Sequence, residues 1–150
     1  MDVPLPTRLF SLREANALLM TLQEEFGRAR QLRDDLMGVQ QKLQEHGHGI
    51  DGPDVRVDEG APQTIQRLQS RAVRIIEKLR GILREVAELG VEVKAADGLV
   101  DFRSKLHGRT VFLCWKYGED RVAFFHELDA GFAGRRPLPA DGDFTGDFLH

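Results

Sequence analysis

The strongest constraint on this chain is a change of hydrophobic period at Gly90. Before it, apolar residues recur at three- and four-residue spacing, as in helices that bury one side. After it come short runs rich in Val, Phe and Trp, as in strands. The reading is α+β: a long antiparallel helical hairpin packed on a small antiparallel β-sheet of three to four strands. With 150 residues and 41% apolar content, a single domain over 1–150 is expected to bury a core.

Ser11-Leu12-Arg13-Glu14 fits a capping box, so helix 1 is expected over 11–45. Its stripe is Ala15, Leu19, Leu22, Phe26 and Ala29, continued by Leu32, Leu36, Val39 and Leu43. Residues 46–61 lack periodicity and hold Gly47, Gly49, Gly52, Pro53 and Gly60, which reads as an exposed, flexible linker. His46 and His48 within it read as plain loop residues.

Helix 2 is expected over 62–89, with Gly90 at the left-handed position past its end. Its stripe is Ile65, Leu68, Ala72, Ile75, Leu79, Ile82, Val86 and Leu89. Val73, Ile76 and Leu83 widen the apolar face beyond what one seam needs. A third surface is therefore expected there, either the sheet or another subunit. The heptad-like coiled-coil pattern is too short and interrupted for an extended fibre.

Residues 91–136 should hold the sheet and a site loop. The strands expected are Val91 to Lys94, Leu99 to Arg103, Arg109 to Lys116 and Arg121 to Glu127, with short turns that make neighbours antiparallel. The third is apolar on both faces and should lie centrally. The 137–150 tail is rich in Gly, Asp and Pro, with Phe144 and Phe148 able to dock on the sheet.

The net charge of −3 argues against broad nucleic-acid or membrane-surface binding. The arginines of the helices are interleaved with acids, as on a solvated face. Cys114 is the only cysteine, which leans towards a reducing compartment. No run approaches the ~20 apolar residues of a membrane span, and Met1 to Phe10 lacks the pattern of a secretory signal. A cytoplasmic protein is the expectation.

Three stretches look familiar: Gly98-Leu99-Val100-Asp101-Phe102, Leu113-Cys114-Trp115-Lys116-Tyr117-Gly118-Glu119, and His126-Glu127-Leu128-Asp129-Ala130-Gly131-Phe132-Ala133-Gly134-Arg135. With the opening Phe10-Ser11-Leu12-Arg13-Glu14-Ala15-Asn16-Ala17-Leu18-Leu19, they resemble a prokaryotic family of uncharacterised proteins, domain of unknown function 2203. The resemblance spans nearly the whole chain and is weakest across the linker. It implies no activity. Phe125 stands where the family is expected to place Trp.

The candidate ligand-binding residues are Asp101, Lys116, Glu119, His126, Glu127, Asp129 and Arg135. On a strand, His126 and Glu127 face opposite sides, so they cannot share a metal unless the strand breaks. No metal or cofactor is expected. Arg135, after two glycines, either pairs with Asp101, Glu119 or Asp129 as a clamp or receives an anion. Cys114 with His126 is the one Cys–His pairing worth naming, and a lone cysteine between Leu and Trp reads first as core filling.

The leading expectation is a self-associating structural or interaction module, a homodimer or higher homo-oligomer formed through helix surfaces. The alternative is a small-anion-binding or enzymatic site on the sheet around His126 and Arg135. Convergence of the polar side chains in one concave pocket separates the two.

Overall fold

The capping box forms. In the computed structural model, which describes residues 8–49 and 55–147, the Ser11 hydroxyl accepts from the Glu14 N–H at 3.1 Å. The Glu14 carboxylate accepts from the Ser11 N–H at 2.9 Å. α1 (Leu12–Ala17) follows, then α2 (Leu19–Glu45) and α3 (Gln63–Glu88). The single helix expected over 11–45 is therefore interrupted at Leu18. The Leu18 N–H bonds the Ala15 carbonyl, three residues back, which tightens the turn. Beside it, the Asn16 side chain is committed elsewhere, accepting from the Val122 N–H at 2.8 Å. Among the described residues, no helix is long and apolar enough to cross a membrane.

The chain divides into two compact units. One is Gly27–Ile82; the other joins the segment ending at Phe26 to the segment beginning at Leu83. The Gly27–Ile82 unit is a pair of helices around Val39, Leu43, Ile65, Ala72 and Ile75. The end of α2 thus meets the beginning of α3, as an antiparallel hairpin requires. Leu32, Leu36, Leu68 and Leu79 pack against this cluster yet remain half-buried. The seam spacing predicts full burial for Leu79. The difference is physical: two helices enclose only the middle of their shared groove, and seam residues at its margins keep one side open.

The described residues of the expected linker over 46–61 make several hydrogen bonds to the helices beside them. The His46 and His48 N–H groups return to carbonyls at the end of α2. The Asp58 N–H donates to the Gln69 side chain at 2.8 Å, and Gln66 Nε2 donates to the carbonyls of Glu59 and Ala61. Residues 50–54 of the linker lie outside the described residues, as does Phe148 of the tail.

In the other unit the sheet has six strands, not three to four. They are β1 (Glu92–Ala95), β2 (Leu99–Leu106), β3 (Arg109–Lys116), β4 (Phe124–Glu127), β5 (Arg136–Pro137) and β6 (Phe144–Thr145). The order is β1-β2-β3-β4-β5, all antiparallel, with β6 also on β2. The expected strand from Arg121 begins only at Phe124, because the Val122 N–H is spent on Asn16. β2 runs on to Leu106, carried by a two-residue turn at His107 and Gly108, both at positive φ. β5 and β6 arise within the stretch expected as loop and tail. β3 is central, with Val111 through Trp115 all buried.

One sheet face carries Val100, Phe102, Leu113 and Trp115. Phe10 packs edge-on against Phe102 at 5.3 Å, and Phe26 lies 6.3 Å from Trp115. The open edge of β2 is filled in turn by β1, by the Phe10 N–H on the Arg103 carbonyl at 2.7 Å, and by β6. That arrangement leaves little edge for another chain to pair with. The two ends of the described chain meet here. The Leu9 N–H donates to the Asp147 carboxylate at 2.9 Å, and the Asp147 N–H donates to the Leu9 carbonyl at 3.0 Å.

Burial and exposure make opposite demands on substitutions in the hairpin. Leu43 is fully buried and Arg74 is exposed. Leu43→Ala is expected to cost roughly 2–5 kcal/mol and Arg74→Ala within about 0.5 kcal/mol. Half-buried Leu79→Ala falls between. Urea midpoints of the three variants against wild type check the order.

Candidate functional site

Strand register decides which of the polar residues can meet. Asp101 on β2 is paired directly with Cys114 on β3, and Cys114 with Phe124 on β4. His126 lies two residues beyond Phe124, so all three side chains leave the same face of the sheet. In the next row on that face, Arg103, Phe112 and His126 are partners. The donor atoms of Asp101, Cys114 and His126 lie within 4.8 Å of one another. All three residues are buried, none more than 3% exposed.

The hydrogen bonds of His126 fix its role. Nδ1 lies 2.8 Å from the Glu127 carbonyl oxygen, which can only accept, so Nδ1 carries a proton. Nε2 faces Asp101 Oδ2 at 3.0 Å. One further proton must therefore lie between Nε2 and Oδ2. Burial pushes the Asp101 carboxyl above the usual carboxylate range, against the downward pull of the His126 hydrogen bond. Burial, and then the adjacent Asp101 carboxylate, push the Cys114 thiol up to about 12. Such a thiol is not a ready nucleophile near neutral pH. With Nδ1 on a backbone carbonyl and Nε2 on Asp101, His126 is also not placed as the base of a Cys–His pair.

Over this trio returns the loop after β4. Gly131, at φ 65, starts a short 3-10 turn at Phe132–Gly134. Arg135 follows with its guanidinium stacked 4.0 Å from the Phe124 ring and 4.4 Å from the Phe132 ring. Both of its terminal nitrogens donate to Glu119, at 3.1 and 2.9 Å. The positive charge of Arg135 favours the Cys114 thiolate, against the larger effect of burial. Glu119 is the hub of the β3–β4 turn. Its carboxylate accepts from the Lys116 N–H at 2.7 Å, and its carbonyl accepts from Trp115 Nε1 at 2.9 Å. The clamp expected for Arg135 is present, with Glu119 as its partner.

Of the seven candidate residues, four fall into two bonded pairs, His126 with Asp101 beside Cys114 and Arg135 with Glu119. Lys116 borders the second pair through its N–H on Glu119 and its ammonium 5.6 Å from the Phe132 ring. Glu127 joins neither. It faces away from His126 and binds Arg109 at 2.9 Å and Arg136 at 3.0 Å, and the Arg109 hydrogen bond, first of all, holds its carboxyl below the usual range. Asp129 is exposed in the turn that follows. Cys114, named with His126 but read first as core filling, lies beside both Asp101 and His126. Strand alternation puts Cys114 on one side with Phe112 and Lys116, and Leu113 and Trp115 on the other.

Gly98 positions the far end of β2 and β3. It holds φ 117, and a Cβ there would meet the Tyr117 Cβ at 2.5 Å. No side chain fits that approach.

The family described as "Uncharacterized conserved protein (DUF2203)" matches residues 8–138. No curated protein and no solved structure matches.

Two outcomes follow from the site. Arg135→Ala leaves the half-buried Glu119 carboxylate without its fork, with an expected loss of about 1–3 kcal/mol; Arg135→Lys keeps the charge and loses less. Thermal midpoints check this, and an unchanged Arg135→Ala midpoint removes the clamp. The raised Cys114 thiol gives stability that is complete below pH ~9 and lost as pH rises towards 12. Stability should fall by up to ~1.4 kcal/mol per pH unit in that window from this group. Cys114→Ala should flatten the limb, read as the difference in urea midpoint between the two proteins across pH 8–11.

Proposed function

The chain belongs to the DUF2203 family of uncharacterised conserved proteins, and from that premise we propose that it is an interaction module that self-associates through its helix surfaces in the cytoplasm. The observation that carries this reading is the incomplete burial of the hairpin. In the Gly27–Ile82 unit, Leu32, Leu36, Leu68 and Leu79 stay half-buried beside the core cluster. Val73 and Ile76 are half-buried on α3, and Met37 on α2 is 57% exposed. Within this unit, two helices alone do not cover such positions. A second copy of the hairpin supplies one, as in a four-helix bundle. Large apolar side chains left partly in water at helical spacing favour such an association.

The enzymatic alternative draws less from the geometry. The polar side chains on the sheet that do converge are spent on one another, and the thiol among them is held protonated. A reacting group needs a free partner and access to substrate.

Sedimentation velocity at micromolar concentration tests the proposal. The wild-type chain is expected to sediment as a homodimer or larger, and a Val73→Lys/Ile76→Lys double variant as a monomer with unchanged helical circular dichroism. A wild-type monomer at tens of micromolar overturns it. So does a folded double variant that associates as the wild type does.

A further inference from the structure

Asp101, Cys114 and His126 lie together on one buried face of the sheet. We propose that these three side chains bind one divalent transition-metal ion of the zinc class, through the Asp101 carboxylate, Cys114 Sγ and His126 Nε2. This goes beyond the self-association reading and is independent of it, since every ligand lies on the sheet.

Four features carry the inference. The first is the donor set. A thiolate, an imidazole and a carboxylate together select zinc or cobalt over magnesium or calcium, which take oxygen ligands. The second is placement. The three donor atoms lie within 4.8 Å of one another. Donors around a tetrahedral zinc ion sit about 3.5 Å apart, from bond lengths of ~2.0–2.3 Å. Side-chain rotations of about an ångström close that gap without moving a strand, because Asp101 and Cys114 are already cross-strand partners.

The third feature is the orientation of His126. Ligating histidines direct their second ring nitrogen to a carbonyl or carboxylate, which fixes the tautomer. Here Nδ1 is bound to the Glu127 carbonyl at 2.8 Å, so Nε2 is the nitrogen left for a metal. Extended structure ends at Glu127, the residue whose carbonyl meets the ring. Neighbours on a strand face opposite sides, which excludes Glu127 but not this trio.

The fourth feature is charge balance. Binding displaces two protons, one from the Cys114 thiol and one from between Nε2 and Oδ2. A divalent cation enters as two protons leave, so the buried cluster keeps its net charge. Arg135 keeps Glu119 as its own counter-ion at 2.9 Å, so no unpaired charge is created overhead. Three protein ligands leave a fourth position for water or another small ligand.

Cobalt titration under reducing conditions, on the full chain first stripped with a chelator, tests the site. The expected result is one Co²⁺ per chain, a thiolate-to-cobalt charge-transfer band in the near ultraviolet, and displacement by stoichiometric Zn²⁺. Cys114→Ser should abolish the band, and His126→Gln should weaken binding at least tenfold. A His46→Ala/His48→Ala variant should leave both the equivalent and the band unchanged. If Cys114→Ser fails to fold, Asp101→Asn is read instead: the band should persist with affinity reduced at least tenfold, and unchanged affinity overturns the site. The proposal is also overturned by titration without a saturable equivalent, by an equivalent lacking the thiolate band, by a band that survives in folded Cys114→Ser, or by loss of the equivalent in the His46/His48 variant.

Discussion

Burial of β3 on both faces is the constraint on which the sheet depends. Five successive residues, Val111 to Trp115, are withdrawn from water. A strand of that kind needs a neighbour on each edge and a cover on each face. β2 and β4 supply the edges, and Phe10 and Phe26 belong to the cover of one face. On the other face lies a short loop stacked on Phe124, held by Arg135 on Glu119. Polar groups on that face are therefore buried with the apolar ones. Asp101 and His126 have no water to turn to, so each is answered by a protein group. The close spacing of Asp101, Cys114 and His126 is thus a result of the strand's burial as much as of any ligand they serve.

Glu119 shows how one side chain can couple several levels of structure. It closes the β3–β4 turn through the Lys116 N–H, anchors the Trp115 indole through its own carbonyl, and holds Arg135. Trp115 is fully buried, so the turn and the core are fixed together. Arg135 in turn sits between Phe124 and Phe132, and the flat guanidinium suits such stacking in a way an ammonium does not. The loop over the sheet is positioned by a carboxylate at the far end of a neighbouring hairpin.

What was legible in the sequence was whatever rests on local period and local chemistry. The Ser11–Glu14 box, the helical stripes, the bounds of β3 and the opposite facing of His126 and Glu127 all follow from spacing alone. What was not legible depends on partners far along the chain. β5 and β6 are two residues each and exist because β4 and β2 offer free edges, not because Arg136-Pro137 or Phe144-Thr145 favour extended structure. β4 starts late because Asn16, over a hundred residues away, takes the Val122 N–H. Leu79 carries the right period and the wrong burial, since period reports direction and not depth. Arg135 was readable as a clamp, whereas its choice of Glu119 over Asp101 or Asp129 required the register of three strands.

The pairing of Leu9 with Asp147 bears on the order in which the molecule is assembled. Those residues are 138 apart, so joining them closes almost the whole chain into a ring. Closing a flexible loop of that length costs about 4 kcal/mol of chain entropy, before any contact across it is rewarded. The Gly27–Ile82 hairpin lies wholly inside that ring and is held by contacts between segments much closer in sequence than Leu9 and Asp147. Local contacts form fastest, and forming the hairpin removes much of the slack from the loop still to be closed. On a ribosome the hairpin also emerges before any strand does. The sheet, and with it the buried trio, is therefore expected to form after the hairpin.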